Sequence, residues 1–247
     1  MRRLIAALLL AASAAALADT GKAIKLDTRP GVSVSFYYMK RDSAAATVVL
    51  LMGGEGDIGL RDGAPRSRNF LVRSREHFAA SGFNVAVLDR PTDHELDYPF
   101  RISAEHIQDL RQAVAYLKKD TGLPVWLVGT SRGTISATAA AIAFGNEELA
   151  GIVLTASVTS FKRTGAVPTQ RLNAIRIPVL VMHHEKDSCV VTRPHEVPLI
   201  TRGLTNAPVK AQIMVNGGAN PEGDPCQALH WHGFIGMEKE AGDIIAA

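Results

Sequence analysis

Apolar runs and helical stripes alternate along this chain, and the alternation predicts its architecture. Residues 32–36, Val-Ser-Val-Ser-Phe, alternate apolar and polar with period two, the pattern of an edge strand with one buried face, and Ile24-Lys25-Leu26 reads as its partner. Together they predict an antiparallel start. Runs at residues 47–52, 84–88, 125–128, 151–156, 179–182 and 211–215 are short and continuously apolar, as strands buried on both faces are. Helical segments separate most of them. The clearest covers residues 103–119, where Ser103 is placed to cap, Ile107, Leu110, Val114 and Leu117 form one stripe, and Lys118, Lys119 and Gly122 suit a C-terminus. Strands alternating with helices predict an α/β fold: a mostly parallel wound sheet with helices on both faces and antiparallel N-terminal strands. In such a sheet, ligands bind beyond the carboxyl ends of the strands.

The first residues break this pattern. Met1-Arg2-Arg3, the apolar run 4–17 and Ala16-Leu17-Ala18 before Asp19 match the charged, apolar and cleavage regions of a signal peptide. The run is too short for a membrane span of about 20 residues, and no later segment is long enough. The expectation is an exported protein, periplasmic or secreted, with a leader at 1–18, no membrane anchor after cleavage and one domain at 19–247. Of the 27 Lys and Arg residues two lie in the leader, which leaves 25 against 24 Asp and Glu and gives no basis for a nucleic-acid partner.

The most informative motif follows the 125–128 run. Gly129-Thr130-Ser131-Arg132-Gly133 leads into the Ala-rich stretch 134–144, so a G-x-S-x-G sits between a predicted strand and a predicted helix. In that setting the glycines allow a strained turn that lifts the serine hydroxyl above the sheet, and Ser131 is the candidate nucleophile. A serine needs a base and a carboxylate to hold that base in the right tautomer. The run 179–182 leads into His183-His184-Glu185-Lys186-Asp187, where Asp187 is the preferred acid and Glu185 its rival. No Asp or Glu occurs between Glu148 and Glu185, which removes the loop after the preceding strand. In His230-Trp231-His232-Gly233-Phe234 the preferred base is His232, with His230 second. For the oxyanion, Arg132 supplies one backbone N–H and the loop Gly53-Gly54-Glu55-Gly56 the other, from Gly54 or Glu55. No G-K-[ST] is present to make that loop a phosphate cradle.

With the order Ser131, Asp187, His232 on alternating strands and helices, the chain resembles the α/β-hydrolase superfamily over essentially all of its mature region. The resemblance implies a nucleophile after the fifth strand, an acid after the seventh, a histidine after the eighth, and acyl transfer through a covalent acyl-enzyme. It implies a small-molecule acyl substrate, such as a carboxylic ester, and no cofactor; a peptidase or thioesterase would use the same machinery. Met52 stands where many members carry the histidine of an H-G oxyanion motif, and the stretch 158–177, where relatives often insert a lid, is short. A shallow or open site is expected.

Two other readings compete with this one. His183, His184, His230 and His232 are a candidate ligand set for a metal-dependent hydrolase, but no H-x-H-x-D or H-E-x-x-H completes it. A non-catalytic binding protein on the same scaffold conflicts with a complete triad. His77, His106 and His195 read as surface or capping residues, the basic cluster Lys162, Arg163, Arg171 and Arg176 as solvated surface, and the loop 90–94 as either surface or site lining. Cys189 and Cys226 are the only cysteines, and in an exported chain they predict one disulfide fastening the acid loop to the base loop.

Overall fold

The computed structural model describes residues 21–247, so the proposed leader lies outside the described residues. Eight strands form one sheet: β1 (Lys22–Arg29), β2 (Val32–Met39), β3 (Ala46–Leu51), β4 (Phe83–Pro91), β5 (Val125–Thr130), β6 (Gly151–Thr155), β7 (Val179–His184) and β8 (Lys210–Val215). Their spatial order is β1-β2-β4-β3-β5-β6-β7-β8. The pairs β1/β2 and β2/β4 are antiparallel and every later pair is parallel, as the apolar runs predicted. A separate ladder joins Leu60–Arg61 to Ala64–Pro65.

Why the central strands are apolar throughout is visible in β3. Val49 and Leu51 pack with Leu127, Ile152 and the helical residues Leu110, Val114, Ala137 and Ile200 on one face. Val48 and Leu50 pack on the other with Val85, Val128, Phe70, Phe78 and Ala241. Alternate side chains feed opposite layers, and each buried Val or Leu contributes about 1.5–3 kcal/mol. The layers are built by α3 (Ala104–Thr121), α4 (Gly133–Ala143) and α5 (Pro198–Gly203) on one side, and by α1 (Phe70–Arg73), α2 (Arg75–Ala80) and α6 (Glu238–Ala246) on the other.

The period-two reading of residues 32–36 needs one correction. β2 is an interior strand: Phe36 and Tyr38 enter one apolar layer, Tyr37 and Met39 the other. β1 takes the edge instead. The two serines misled because they occupy the strand's first half, and the second half, Tyr-Tyr-Met, is apolar on both sides.

In α3, the Ser103 side chain accepts a hydrogen bond from the His106 amide, and Gly122 closes the helix in the left-handed region at φ 69°. Only glycine takes that conformation without a Cβ penalty. Among the described residues no helix is long and apolar enough to cross a membrane.

Candidate active site

Ser131 sits between the last residue of β5 and the first turn of α4 at φ 54°, a left-handed conformation that costs a non-glycine residue about 1–3 kcal/mol. Tertiary contacts hold it there. The Ser131 amide donates to the Thr155 carbonyl at 3.1 Å, extending the β5/β6 ladder into the turn, and the Thr155 hydroxyl donates to the Gly129 carbonyl at 3.1 Å. Both motif glycines are required sterically. A Cβ on Gly129 would lie 2.6 Å from the Gly133 carbonyl oxygen, and one on Gly133 would overlap the Leu51 carbonyl.

Asp187 and His232 come together from the loops after β7 and β8. His232 Nδ1 lies 3.0 Å from Asp187 Oδ2, and both side chains are buried. Since a carboxylate only accepts, Nδ1 carries the proton and Nε2 keeps its lone pair. Asp187 is fully engaged: the Thr192 hydroxyl donates to Oδ2 at 2.9 Å, His183 Nε2 lies 3.2 Å from the same oxygen, and the Cys189 amide donates to Oδ1 at 3.0 Å. Burial would raise this carboxyl, but hydrogen bonds from His183 and His232 outweigh it and hold it well below the usual carboxylate range. Glu185, the rival acid, instead accepts from Asn216 at the surface.

Cys189 and Cys226 form a disulfide with their Cα atoms 4.5 Å apart. It ties the loop holding the acid to the loop leading to His232. With the cysteines 37 positions apart in the sequence, loop entropy assigns it about 4 kcal/mol. The Cys189→Ser/Cys226→Ser double variant should therefore unfold at markedly lower urea concentration than the oxidised protein, and equal midpoints would show that the bridge does not constrain the unfolded chain.

A second clamp holds the His232 loop and was not read from the sequence. The Arg73 guanidinium at the end of α1 donates to the carbonyls of Ala228 at 3.1 Å and Gly233 at 3.0 Å and pairs with Glu238 at 2.7 Å. Phe234, fully buried, packs on Phe70 with ring centroids 4.8 Å apart, which fixes the same loop to the sheet.

Beneath the 53–56 loop, His106 also departs from expectation. It is buried, with Nε2 2.9 Å from the Ser136 hydroxyl, because the polar side of α3 at this turn faces α4. Desolvation, reinforced by the nearby Arg101 charge, lowers its pKa to about 3. The unfolded chain takes up a proton near the ordinary value of 6.5 while the folded chain waits until about 3, so acidification through that window favours unfolding. In His106→Gln, the loss of unfolding free energy from about pH 6 to about pH 4 should be shallower by about 1.4 kcal/mol per pH unit. An unchanged slope in urea titrations would refute this. His77, by contrast, pairs with Asp243 at 2.8 Å near the surface, and His195 lies exposed in a 3-10 turn.

Ser131, Arg132, His232, Gly53, Gly54 and the disulfide line one cleft of about 770 Å³. Ser131 and His232 face it together, but the hydrogen bond between them is not made in this structure. The stretch 158–177 folds into 3-10 turns and contributes only Arg163 to the lining. Arg132 and Arg163 lie over the Tyr98 ring at 4.5 and 5.3 Å, and Arg132 pairs with Glu55 at 2.7 Å. The loop 90–94 lines a separate concavity with Asp57 and Arg61.

The four-histidine set does not converge. His183 bonds the Thr192 carbonyl and Asp187, whereas His184 bonds the Gly217 carbonyl and accepts from the Lys186 amide. Among the described residues no group of three or more His, Cys, Asp or Glu is placed to hold a metal ion.

No family model matches the sequence, and no curated protein does. Solved structures do. An esterase of Pyrococcus furiosus superposes with a TM-score of 0.65 at 14% identity, over 92% of this chain and 88% of the esterase. A dienelactone hydrolase of Anabaena variabilis gives 0.62 at 15% identity, over 92% and 94% of the two chains. A predicted CIB-like hydrolase of Thermoplasma acidophilum gives 0.58 at 20%, over 92% and 96%. The chain has the α/β-hydrolase fold. Within that fold, Ser131 follows the fifth strand, Asp187 the seventh and His232 the eighth, the positions implied by the sequence resemblance.

Proposed function

We propose that this α/β-hydrolase-fold protein is a serine hydrolase acting on carboxylic esters or related acyl compounds. The observation that carries the reading is a serine held at φ 54° on a strand-to-helix turn, facing the same cleft as a histidine whose Nδ1 is bound to a buried carboxylate. Ser131 Oγ attacks the acyl carbonyl carbon as His232 Nε2 takes its proton, and Asp187 stabilises the imidazolium. The tetrahedral oxyanion accepts from the Arg132 amide and from an amide of the 53–55 loop. Collapse breaks the bond to the alcohol, which leaves with the proton from His232. Water then repeats the sequence on the acyl-enzyme and releases the acid. No step calls for a cofactor.

The test is a fluorophosphonate probe on the folded, oxidised protein, followed by peptide mass mapping. Stoichiometric phosphonylation of Ser131 that disappears in Ser131→Ala is expected; no labelling would sink the nucleophile assignment. A panel of esters, thioesters and peptides then ranks substrate classes.

We propose further that the chain is exported. A disulfide beside the site fits an oxidising compartment, and residues 1–18 have the composition of a leader. Protein recovered from periplasm or medium should have an intact mass that begins at Asp19, and a mass retaining Met1 would refute cleavage.

A further inference from the structure

Among the described residues Arg101 is the largest fully buried side chain, and no carboxylate pairs with it. Its guanidinium is instead spent on neutral acceptors. Nε donates to the Leu96 carbonyl at 3.0 Å and Nη1 to the Ser136 hydroxyl at 2.9 Å, while Nη2 donates to the carbonyls of Met52 and Gly54, both at 3.1 Å. Asp89 lines the same small cavity, but its carboxylate accepts from the amides of Ile58 and Arg90. A buried cation without a counter-ion is costly, so its retention calls for a role that a neutral side chain would not fill.

The two carbonyls held by Nη2 belong to the loop beside Ser131. No cis peptide occurs among the described residues, and in a trans peptide the N–H points opposite to the C=O. Pinning the Met52 and Gly54 carbonyls onto Arg101 therefore turns the amides of Gly53 and Glu55 away from it. Gly53 packs directly on the nucleophile: a Cβ there would lie 2.7 Å from Ser131 Cβ and 3.2 Å from Oγ. On the serine-hydrolase reading above, we infer that Arg101 is a positioning residue that sets the oxyanion loop from behind, presenting the Gly53 and Glu55 amides to the substrate oxyanion. Only a planar fork bridges two carbonyls while reaching Leu96 and Ser136; an ammonium does not. The serine at 136 and the histidine behind it complete the socket.

The experiment compares oxidised wild type with Arg101→Lys and Arg101→Ala on one activated ester and one fluorophosphonate, after near-UV circular dichroism and melting curves have established that each is folded. Loss of a preorganised oxyanion donor predicts kcat lower by about 100-fold with KM within about threefold of wild type, and a parallel fall in the phosphonylation rate of Ser131. Lysine should not rescue, whereas millimolar guanidinium ion, and not ammonium, should restore turnover in the alanine variant. Where alanine does not fold, lysine carries the comparison alone. A folded variant with kcat within about twofold of wild type, or a loss confined to KM, overturns the inference. If wild type itself is not phosphonylated at Ser131, the serine-hydrolase reading falls and takes this role with it; labelled wild type with unaffected variants removes the positioning role alone.

Discussion

Replacing Ser131 with alanine is expected to lower kcat about a million-fold on any accepted ester, because in the proposed triad the nucleophile, its base and its carboxylate would act as one unit. The same position carries a second, opposite effect on stability. At φ 54° a Cβ is strained, and Ser131→Gly relieves it. The glycine variant should be as inactive as the alanine variant yet more stable than it by about 1 kcal/mol. Kinetics with an activated ester and urea unfolding of the two variants separate these effects. Residual activity in both within about tenfold of wild type would exclude Ser131 as nucleophile. Equal stabilities would show that the turn stores no strain.

Asp187→Asn is the second large effect, with kcat expected about 10⁴-fold lower. The size follows from the donors around this side chain. Oδ2 faces His232 Nδ1, the Thr192 hydroxyl and His183 Nε2, all of which can donate, and the Cys189 amide serves Oδ1. An asparagine must place its own N–H₂ against one of these sets. With the amide nitrogen toward His232, Nδ1 must accept, the proton moves to Nε2, and the lone pair needed by Ser131 is lost. Kinetics over a range of pH distinguish this from a folding defect: KM should change little, and turnover should recover at high pH, where hydroxide replaces the missing base. A kcat within about tenfold of wild type at neutral pH would instead point to Glu185 or to no triad at all.

The sheet and the elbow were legible because their determinants are local. Continuous apolar runs mark strands buried on both faces, and Gly129 and Gly133 lie four residues apart on one turn. The cap and stop of α3 are equally local, Ser103 and Gly122 flanking a single stripe. What escaped was set by long-range contacts. Arg101 meets Met52 and Gly54 across 49 and 47 residues, and Arg73 meets Gly233 across 160. Neither arginine interrupts a local pattern, so nothing in the sequence singles it out. His106 lies one position from the stripe residue Ile107 and looked like a surface residue. Only the approach of α4, bringing Ser136 within 2.9 Å, buries it. Thr192 was invisible for the same reason: a hydroxyl gains meaning only once Asp187 and His232 are beside it.

The eleven-residue helix α4 begins directly after the elbow with no side-chain hydrogen bond at its N-cap and no acidic residue in its first turn, although Gly133 to Ala141 is buried. Helices usually satisfy those first amides with a serine, threonine or aspartate, at a gain of about 1 kcal/mol. Here the elbow's own backbone does part of that work, the Thr134 amide donating to the Ser131 carbonyl and the Ile135 amide to the Arg132 carbonyl. On the proposed serine-hydrolase reading the substrate oxyanion would add its charge at the positive end of the helix only while the intermediate lasts. On that reading the helix gains at the top of the reaction barrier a charge partner that it lacks in the resting protein, and an acidic residue engineered at this end would compete with the oxyanion for the same field.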